Sequence, residues 1–268
     1  MTTDPLLVCL TDNLRRYESL AIAFSGGVDS VFLLDMATEV LGREKVMAVT
    51  VSGVNFPRVE GEEADGFARW LGVKHIVVPW DAMTLTGFVE NGPRRCYHCK
   101  KEVFGMALSV AKEWGAAALA DGSNADDVGD YRPGSEAAKE LGVVSPLREC
   151  GIAKRDIRRF LREREVAFWE KPSFACLASR VPYGREITAE ALRRIEAAEE
   201  YLRAVGFREV RVRDHGDLAR VEVGAEERGR FFQEGLLDTV DAELRRLGYV
   251  YTTLDMRGYR TGSMNEVL

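Results

Sequence analysis

The chain has 268 residues, of which 46% are hydrophobic and 30% charged, as is ordinary for a globular protein of about two domains with a full core. Its 37 Lys and Arg against 43 Asp and Glu leave a net charge of −6, which argues against a protein that holds nucleic acid mainly through positive charge. No apolar run reaches the ~20 residues of a membrane span, and the N-terminus lacks the features of a signal peptide. We therefore expect a cytoplasmic protein.

Strands and helices alternate along the first 120 residues. The hydrophobic pattern predicts helices over 3–17, 31–41, 60–71 and 101–114, and strands over 19–24, 46–51, 75–78 and 116–120. Gly72 is expected to be the C-cap of the helix over 60–71, which precedes the third predicted strand. Such alternation is typical of βαβ units in a mostly parallel sheet, in which ligands bind at the carboxyl ends of the strands.

The pattern changes in the second part of the chain. Thr188 is expected to cap a helix that ends at Val205, and strands over 209–213 and 218–223, a helical stretch over 226–246 and a strand over 250–255 follow. We therefore predict an α/β fold with a first domain at 1–170, a cysteine-bearing linker loop at 171–187 and a smaller α+β domain at 188–268.

The segment Ser25-Gly-Gly-Val-Asp-Ser30 joins the first predicted strand to an apolar helix. Gly26 and Gly27 let backbone N–H groups turn toward an anion, the helix dipole adds positive charge, and the hydroxyls of Ser25 and Ser30 can donate to the same anion. No lysine follows the glycines, so this is not a Walker loop. The segment resembles the PP-loop of the N-type ATP pyrophosphatases, which implies ATP binding, pyrophosphate release and a role for Asp29 at Mg²⁺ or the α-phosphate. A tight turn without a ligand is the alternative.

A second segment, Asp121-Gly-Ser-Asn-Ala-Asp-Asp127, follows the last predicted strand of the first domain. The resemblance implies that it completes the nucleotide site, whereas a solvated acidic loop is the structural alternative. Thr50 ends the second strand, where this superfamily places adenine against the backbone. The residues implied in this half of the ATP site are Thr50, Asp121, Gly122, Ser123 and Asp126.

The five cysteines divide into two groups. Cys96 and Cys99 form a C-x₂-C motif, and Cys176 is a plausible third thiolate. Structural zinc takes four ligands, and a redox motif would need thioredoxin-like surroundings, but three thiolates suffice for a [4Fe–4S] cluster with one iron left open. Three unrelated thiols are the alternative. Cys9 and Cys150 are expected to be packing residues, with a spare cluster ligand as the alternative for Cys150, and no disulfide is expected in a reducing compartment.

The motifs taken in order resemble, essentially end to end, the LarE family of PP-loop sulfur transferases. They are SGGVDS, DGSNADD, Asp130-Tyr-Arg-Pro-Gly134, KPSFACLASRVPYG, Val210-Arg-Val-Arg213 and Gly258-Tyr-Arg-Thr-Gly-Ser-Met-Asn265. The resemblance implies adenylation of the carboxylates of pyridinium-3,5-biscarboxylic acid mononucleotide and their conversion to thiocarboxylates. That product is the precursor of the nickel-pincer cofactor of lactate racemase.

Members of this family obtain sulfur in two ways. Some give up the sulfur of one cysteine, which becomes dehydroalanine, and others carry three cysteines and a [4Fe–4S] cluster. Here Cys176 falls one residue after the sacrificial position, which is Ala175, and together with Cys96 and Cys99 this favours the cluster. A shift of the alignment by one residue would restore the sacrificial interpretation, with Cys176 as the donor.

A group of arginines is expected to bind the substrate. Arg211 and Arg213 alternate on one predicted strand and so face the same side, where an anion would relieve their repulsion. A surface salt bridge with Glu222 or Asp217 is the alternative. The resemblance adds Ser179, Arg180 and Arg260 as binders of the phosphate and carboxylates, and Glu199 and Glu222 as the groups that orient the arginines or a metal.

We therefore predict an ATP-dependent sulfur transferase with ATP, Mg²⁺ and a [4Fe–4S] cluster, in a homo-oligomer that acts on a small molecule without nucleic acid or membrane. The predicted catalytic residues are Asp29, Cys176, Ser179 and Arg180. Three alternatives stay open: a tRNA-thiolating enzyme, an enzyme that forms an amide with ammonia after adenylation, and a non-catalytic ATP or iron–sulfur sensor.

Overall fold

The computed structural model describes residues 4–127, 133–171 and 175–260. The chain divides into two compact units, one made of Met1–Trp80 and Cys96–Phe174, the other of Asp81–Arg95 and Ala175–Leu268. Residues 81–95 thus belong to the second unit, although they precede much of the first. The parts of the quoted motifs at 130–132, 172–174 and 261–265 lie outside the described residues.

Both units contain helices as well as a sheet. In chain order they are α1 Pro5–Leu14, α2 Val28–Leu41, α3 Arg58–Leu71, α4 Thr86–Val89, α5 Arg95–Trp114, α6 Pro133–Glu140, α7 Pro146–Glu149, α8 Lys154–Glu163, α9 Ala189–Ala204 and α10 Leu236–Arg246. Helix α5 begins six residues before the predicted start, so Cys96 and Cys99 lie in its first turns. Among the described residues we find no helix with both the length and the apolar character needed to cross a bilayer.

The first unit is built on a four-stranded parallel sheet with the strand order β3-β2-β1-β4. Its strands are β1 Leu20–Ala23, β2 Val46–Ser52, β3 Lys74–Pro79 and β4 Ala118–Ala120. Because side chains alternate along a strand, Ile22 packs with the core that contains α2 and α8, and Ala21 packs with the core that contains α5. The sheet therefore has helices on both faces, which confirms the predicted parallel α/β architecture.

Cys9 and Cys150 form a disulfide, with 5.7 Å between their Cα atoms. The prediction of a chain without disulfides is therefore wrong, and so is the prediction that Cys9 is a packing residue, whereas Cys150 is buried in the core as predicted. Helix α1 buries the face that carries Leu10 and Leu14, whereas Cys9 is exposed. Cys9 therefore lies outside the buried face of α1, although it is next to Leu10 in sequence. Its sulfur is bonded to Cys150 at the end of α7.

The arginine-rich helix α8 is only partly a solvated face. Arg164 forms an ion pair with Asp35 of α2 at 2.5 Å, and Arg158 donates to the carbonyls of Trp169 and Lys171. The amphipathic pattern of α8 shows which face is buried, but it does not show that arginines at the edge of that face reach back to neighbouring segments.

The second unit contains a three-stranded sheet with the order β5-β6-β7, formed by Val210–Asp214, Leu218–Val223 and Tyr251–Leu254. Strands β5 and β6 are antiparallel, and β6 and β7 are parallel. Thr188 caps α9 as predicted, since its hydroxyl accepts from the Ala191 amide at 3.1 Å. The predicted helical stretch over 226–246 is interrupted at Gly235. This residue has a φ of 76° and is the N-cap of α10. The smaller α+β architecture is thus confirmed.

Candidate active site

The phosphate loop lies between β1 and α2, with Gly27 as the N-cap of the helix. Gly26 has a φ of +72°, and a Cβ atom at this position would lie 2.9 Å from both the Ala64 Cβ and the Glu60 carbonyl oxygen. Only glycine satisfies the left-handed backbone and the close approach of α3 together. The loop is therefore pressed against α3 and opens at the N-terminus of a 14-residue helix, where anions are favoured.

The two serines of the loop have different surroundings. The Ser30 side chain is buried and donates to the Gly27 carbonyl at 3.0 Å, whereas Ser25 is exposed. The Gly27 amide donates to the Ser25 hydroxyl at 3.3 Å, and the two hydroxyl oxygens lie 3.2 Å apart. The Gly27 N–H and the exposed Ser25 hydroxyl thus lie together at the N-terminus of α2.

The second predicted nucleotide segment packs directly on this loop. A Cβ atom on Gly122 would lie 2.9 Å from the Ser30 amide nitrogen, and the Asn124 side chain donates to the Asp29 carboxylate at 3.2 Å. The sheet therefore brings the two glycine-containing segments together at the carboxyl ends of β1 and β4. Asn124 is a member of this site that we did not predict by position.

The carboxylates of the second segment are bonded within the protein. Asp121 accepts from the hydroxyls of Ser123 and Ser145 at 2.6 and 2.7 Å, and Asp126 accepts from the Lys154 amide at 2.8 Å. These contacts fix the shape of the loop and its attachment to α8. Their predicted contact with ATP stays a prediction.

Asp29 lies in the first turn of α2, with the Lys154 ammonium 3.6 Å from its carboxylate. The pKa of Asp29 is raised by burial and, to a lesser extent, by the nearby charge of Asp127. Together these effects outweigh the lowering of that pKa by Lys154 and Asn124. A divalent cation would favour the ionised form of Asp29, and a carboxylate oxygen is a ligand that Mg²⁺ takes, but the role of Asp29 at Mg²⁺ stays a prediction. Sequence reasoning missed Lys154; its signal is its place as the first residue of a helix that follows the second nucleotide segment.

Thr50 is buried at the end of β2, beside the phosphate loop. Its hydroxyl donates to the Phe24 carbonyl at 2.6 Å and lies 2.8 Å from the His75 Nε2 atom, and the His75 Nδ1 atom lies 3.2 Å from Asp65. The side chain of Thr50 therefore holds the residue that precedes the loop. Its predicted backbone contact with adenine stays a prediction.

A second group of functional side chains lies within the second unit. Arg180 is fully buried and donates from Nε and Nη2 to both oxygens of Glu199, at 2.8 and 2.9 Å. Burial disfavours the Arg180 charge, but the pKa of Arg180 is raised because Glu199 favours it; correspondingly the arginines around Glu199 lower the pKa of that carboxyl despite burial. Glu199 is thus the predicted partner that orients Arg180.

Arg211 and Arg213 both lie on β5 and are both buried. Arg213 donates to Glu222 at 2.6 Å and to the Ser179 carbonyl at 3.1 Å. The Arg211 guanidinium lies over the Tyr259 ring, 4.7 Å from its centre, and Arg211 is opposite Glu222 in the sheet register. The pairing with Glu222 is therefore a buried one, and the alternative of a surface salt bridge is wrong.

Positive charge is in excess in this group. Burial, together with the neighbouring guanidiniums of Arg180 and Arg213, lowers the pKa of Arg211, although Glu199 opposes this. The folded protein thus disfavours the charge on Arg211. An anion bound among these side chains would remove the repulsion, which is what a phosphate or carboxylate of a substrate provides.

Arg180 also organises the backbone that carries Cys176. Its Nη1 atom donates to the carbonyls of Ala175 and Cys176 at 2.7 and 3.2 Å and to the Ser179 hydroxyl at 3.1 Å. The 3-10 turn Leu177–Arg180 follows Cys176 directly. Arg260 is 28% exposed and donates to the Gly258 carbonyl at 3.1 Å, so it is less buried than the other predicted arginines.

The three predicted cluster ligands are not disulfide-bonded. Cys96 is exposed and Cys99 is buried in α5, and Cys176 is partly exposed. Across 4–127, 133–171 and 175–260, no group of three or more His, Cys, Asp or Glu side chains is arranged to hold a metal ion. The chemistry of three thiols suits an iron–sulfur cluster, but their arrangement does not show one.

The parallel sheet, the glycine-rich loop at the N-terminus of α2 and the second segment packed on it define a PP-loop enzyme of the ATP-using class. In agreement, residues 8–93 match the family model described as NAD synthase. An argininosuccinate synthase from Natronomonas pharaonis is 29% identical over 157 residues, which are 54% of this chain and 38% of that protein.

Two relatives match along nearly the whole chain. An uncharacterised protein of Synechocystis sp. is 40% identical, over 96% of this chain and 97% of its own length. The pyridinium-3,5-bisthiocarboxylic acid mononucleotide synthase of Lactiplantibacillus plantarum is 37% identical, over 95% of this chain and 92% of its own length. The chain belongs to the family of this synthase, the LarE family of PP-loop sulfur transferases.

Proposed function

We propose that this protein adenylates the carboxylates of pyridinium-3,5-biscarboxylic acid mononucleotide with ATP and then converts them to thiocarboxylates. The name of the L. plantarum relative supports this product. The observation that carries the proposal is the buried set of Arg180, Arg211 and Arg213, which brings three guanidiniums together in the second unit. A mononucleotide with two carboxylates supplies anions for such a set.

Adenylation uses the first unit. The N–H groups of the phosphate loop and the N-terminus of α2 would bind the β- and γ-phosphates, Asp29 would hold Mg²⁺, and Lys154 would neutralise a further phosphate oxygen. Mg²⁺, when bound, supplies charge stabilisation for the departing pyrophosphate. A substrate carboxylate oxygen attacks the α-phosphorus, the bond from that phosphorus to pyrophosphate breaks, and an acyl adenylate results.

Sulfur transfer follows because the acyl adenylate carries a far better leaving group than a free carboxylate. A nucleophilic sulfur of the sulfide class attacks the acyl carbon, a C–S bond forms, and the C–O bond to AMP breaks. The buried arginines of the second unit would hold the substrate phosphate and its other carboxylate during this step. Arg180 would also keep the backbone at Cys176 in place through its contacts with the carbonyls of Ala175 and Cys176.

We further propose that Cys96, Cys99 and Cys176 hold a [4Fe–4S] cluster that serves as the sulfur carrier. The donor set supports it, since three thiolates leave one iron open. Sacrificial transfer from Cys176 is the competing hypothesis.

Anaerobic purification and reconstitution followed by iron and sulfide analysis tests the sulfur carrier. Wild type and Ser109→Ala, an exposed control on α5, are expected to contain about four iron atoms per chain, and Cys96→Ala markedly fewer. Absence of iron from the reconstituted wild type would exclude the cluster. A loss of about 34 Da from Cys176 after turnover, the mass of H₂S, would identify the sacrificial mechanism instead.

A further inference from the structure

Lys171 lies beside the phosphate loop in the first unit, and none of the roles above uses it. Its side chain is only 8% exposed, and its ammonium lies 2.5 Å from the Glu63 carboxylate of α3. The same ammonium donates to the carbonyl oxygen of Gly26 at 2.8 Å. A buried lysine thus contacts the backbone of the loop itself.

The backbone around Lys171 is fixed before its side chain reaches the loop. Arg158 donates to the carbonyls of Trp169 and Lys171, and the Lys171 amide donates to the Phe168 carbonyl at 3.0 Å. The Lys171 ammonium also lies over the Phe168 ring, 5.3 Å from its centre. The position of the charge is therefore determined by α8 and by the 3-10 turn Ala167–Glu170.

A contact with the Gly26 carbonyl has a consequence for the next amide. In a planar trans peptide the C=O of Gly26 and the N–H of Gly27 point in opposite directions. Because Lys171 holds the carbonyl on one side, the Gly27 N–H points to the other, where the Ser25 hydroxyl accepts it at 3.3 Å. Glycine restricts its backbone least, so a Gly-Gly peptide needs such an external contact to keep one orientation.

We propose that Lys171 is a positioning residue of the phosphate loop. Its ammonium holds the Gly26–Gly27 peptide so that the Gly27 N–H stays on the side of the Ser25 hydroxyl, where the ATP phosphates would bind, and its charge adds to the positive potential of the loop. This inference rests on the proposed use of ATP. In this role Lys171 strengthens the binding of ATP and of pyrophosphate and does not act specifically on the transition state.

A purely structural role is the competing interpretation, in which Lys171 only pairs with Glu63. Glu63 is 45% exposed, and ion pairs with such partners contribute little to stability. Glu63→Gln removes this pair but leaves the contact with the Gly26 carbonyl. It is therefore the variant that separates the two roles.

Calorimetric binding of ATP·Mg²⁺ and of pyrophosphate tests the inference, together with steady-state KM and kcat. Lys171→Met is expected to weaken both ligands by about tenfold or more, with a larger effect on KM for ATP than on kcat, and Lys171→Arg to restore part of the loss. Glu63→Gln and Lys112→Met, an exposed control on α5, are expected to bind like wild type. Lys171→Gln takes the place of Lys171→Met if that variant does not fold.

Two results would overturn the inference. One is a folded, uncharged variant at position 171 whose affinity for both ligands is within about twofold of wild type. The other is an equal loss of affinity in Glu63→Gln. A wild type that binds neither ligand would overturn the proposed function as well, and so is distinguishable from both.

Discussion

Arg180 and Glu199 form a bidentate ion pair from which solvent is excluded, with both side chains fully buried and donor–acceptor distances of 2.8 and 2.9 Å. Glu199 also accepts from the Val212 amide at 3.0 Å and from Arg203 at 2.7 Å. One carboxylate thus joins the turn after Cys176, helix α9 and strand β5. The proposed substrate site of the second unit depends on it.

Removal of the Glu199 charge should therefore destabilise the protein strongly. Glu199→Gln leaves Arg180 buried without its counter-charge, and breaking such a pair costs about 3–5 kcal/mol. Denaturant unfolding of the variant should show this loss in free energy. Glu190→Gln, at an exposed position of the same helix, should change it by less than about 0.5 kcal/mol, and a similarly small change in Glu199→Gln would contradict the prediction.

Arg211 should behave in the opposite way. Because burial and two neighbouring guanidiniums lower its pKa, the charge of Arg211 opposes folding, and Arg211→Met should unfold at the same temperature as wild type or higher. Its loss should nevertheless raise KM for the mononucleotide about 10- to 100-fold, since a charge-assisted contact is lost. Arg245→Met, on the surface of α10, should change neither quantity. A clearly lower unfolding midpoint for Arg211→Met would show that Arg211 is structural.

Asp29 gives a prediction with a definite pH dependence. Its pKa is higher in the folded than in the unfolded protein, so the folded state binds more protons between the two values and stability falls as the pH rises through that range. At pH 7 Asp29→Asn should therefore melt at or above the wild-type temperature, and the difference should vanish below about pH 4. The same variant should lose Mg²⁺-dependent binding of ATP. Binding of ATP and Mg²⁺ by the wild type should weaken on acidification. Because the pKa of Asp29 is raised, this weakening should begin at a pH above the ordinary pKa of an aspartate. A variant that is less stable than wild type at pH 7 would be the wrong sign.

The disulfide between Cys9 and Cys150 closes a segment with a sequence separation of 141 residues. Closure of a long loop restricts the unfolded chain, so the double variant Cys9→Ser and Cys150→Ser should be less stable than the oxidised wild type by about 2–4 kcal/mol. Dithiothreitol should bring the wild type to the level of the variant and leave the variant unchanged. Mass spectrometry after alkylation under denaturing conditions supplies the control. Free thiols at both positions in the oxidised protein would contradict the pairing.

The sequence predicts the α/β sheet and the phosphate loop well because both follow from local patterns. A buried strand, two glycines and an apolar helix are enough to predict a glycine-rich turn at Gly26 and Gly27, although not the distant contacts that hold it. The capping of α9 by Thr188 is local in the same way. These features could be predicted without any knowledge of the packing.

The missed features depend on contacts between distant segments. Lys154 and Lys171 contact the loop although they follow it by more than 120 positions in sequence. Neither belongs to a motif that predicts the contact. The local pattern predicts that Cys9 lies on the buried face of α1, but tertiary packing buries Leu10 and Leu14 and leaves Cys9 exposed. The partners of Arg180 and Arg213 could be predicted, whereas their nearly complete burial, which decides their electrostatics, could not.

The most direct test of the central claim is the stoichiometry of pyrophosphate release against formation of thiocarboxylate. With ATP, Mg²⁺, sulfur-loaded protein and pyridinium-3,5-biscarboxylic acid mononucleotide, we expect one AMP and one pyrophosphate for each carboxylate converted, and neither without the mononucleotide. Release of pyrophosphate that does not depend on the mononucleotide, or ATP bound without any turnover in the complete mixture, would contradict the account.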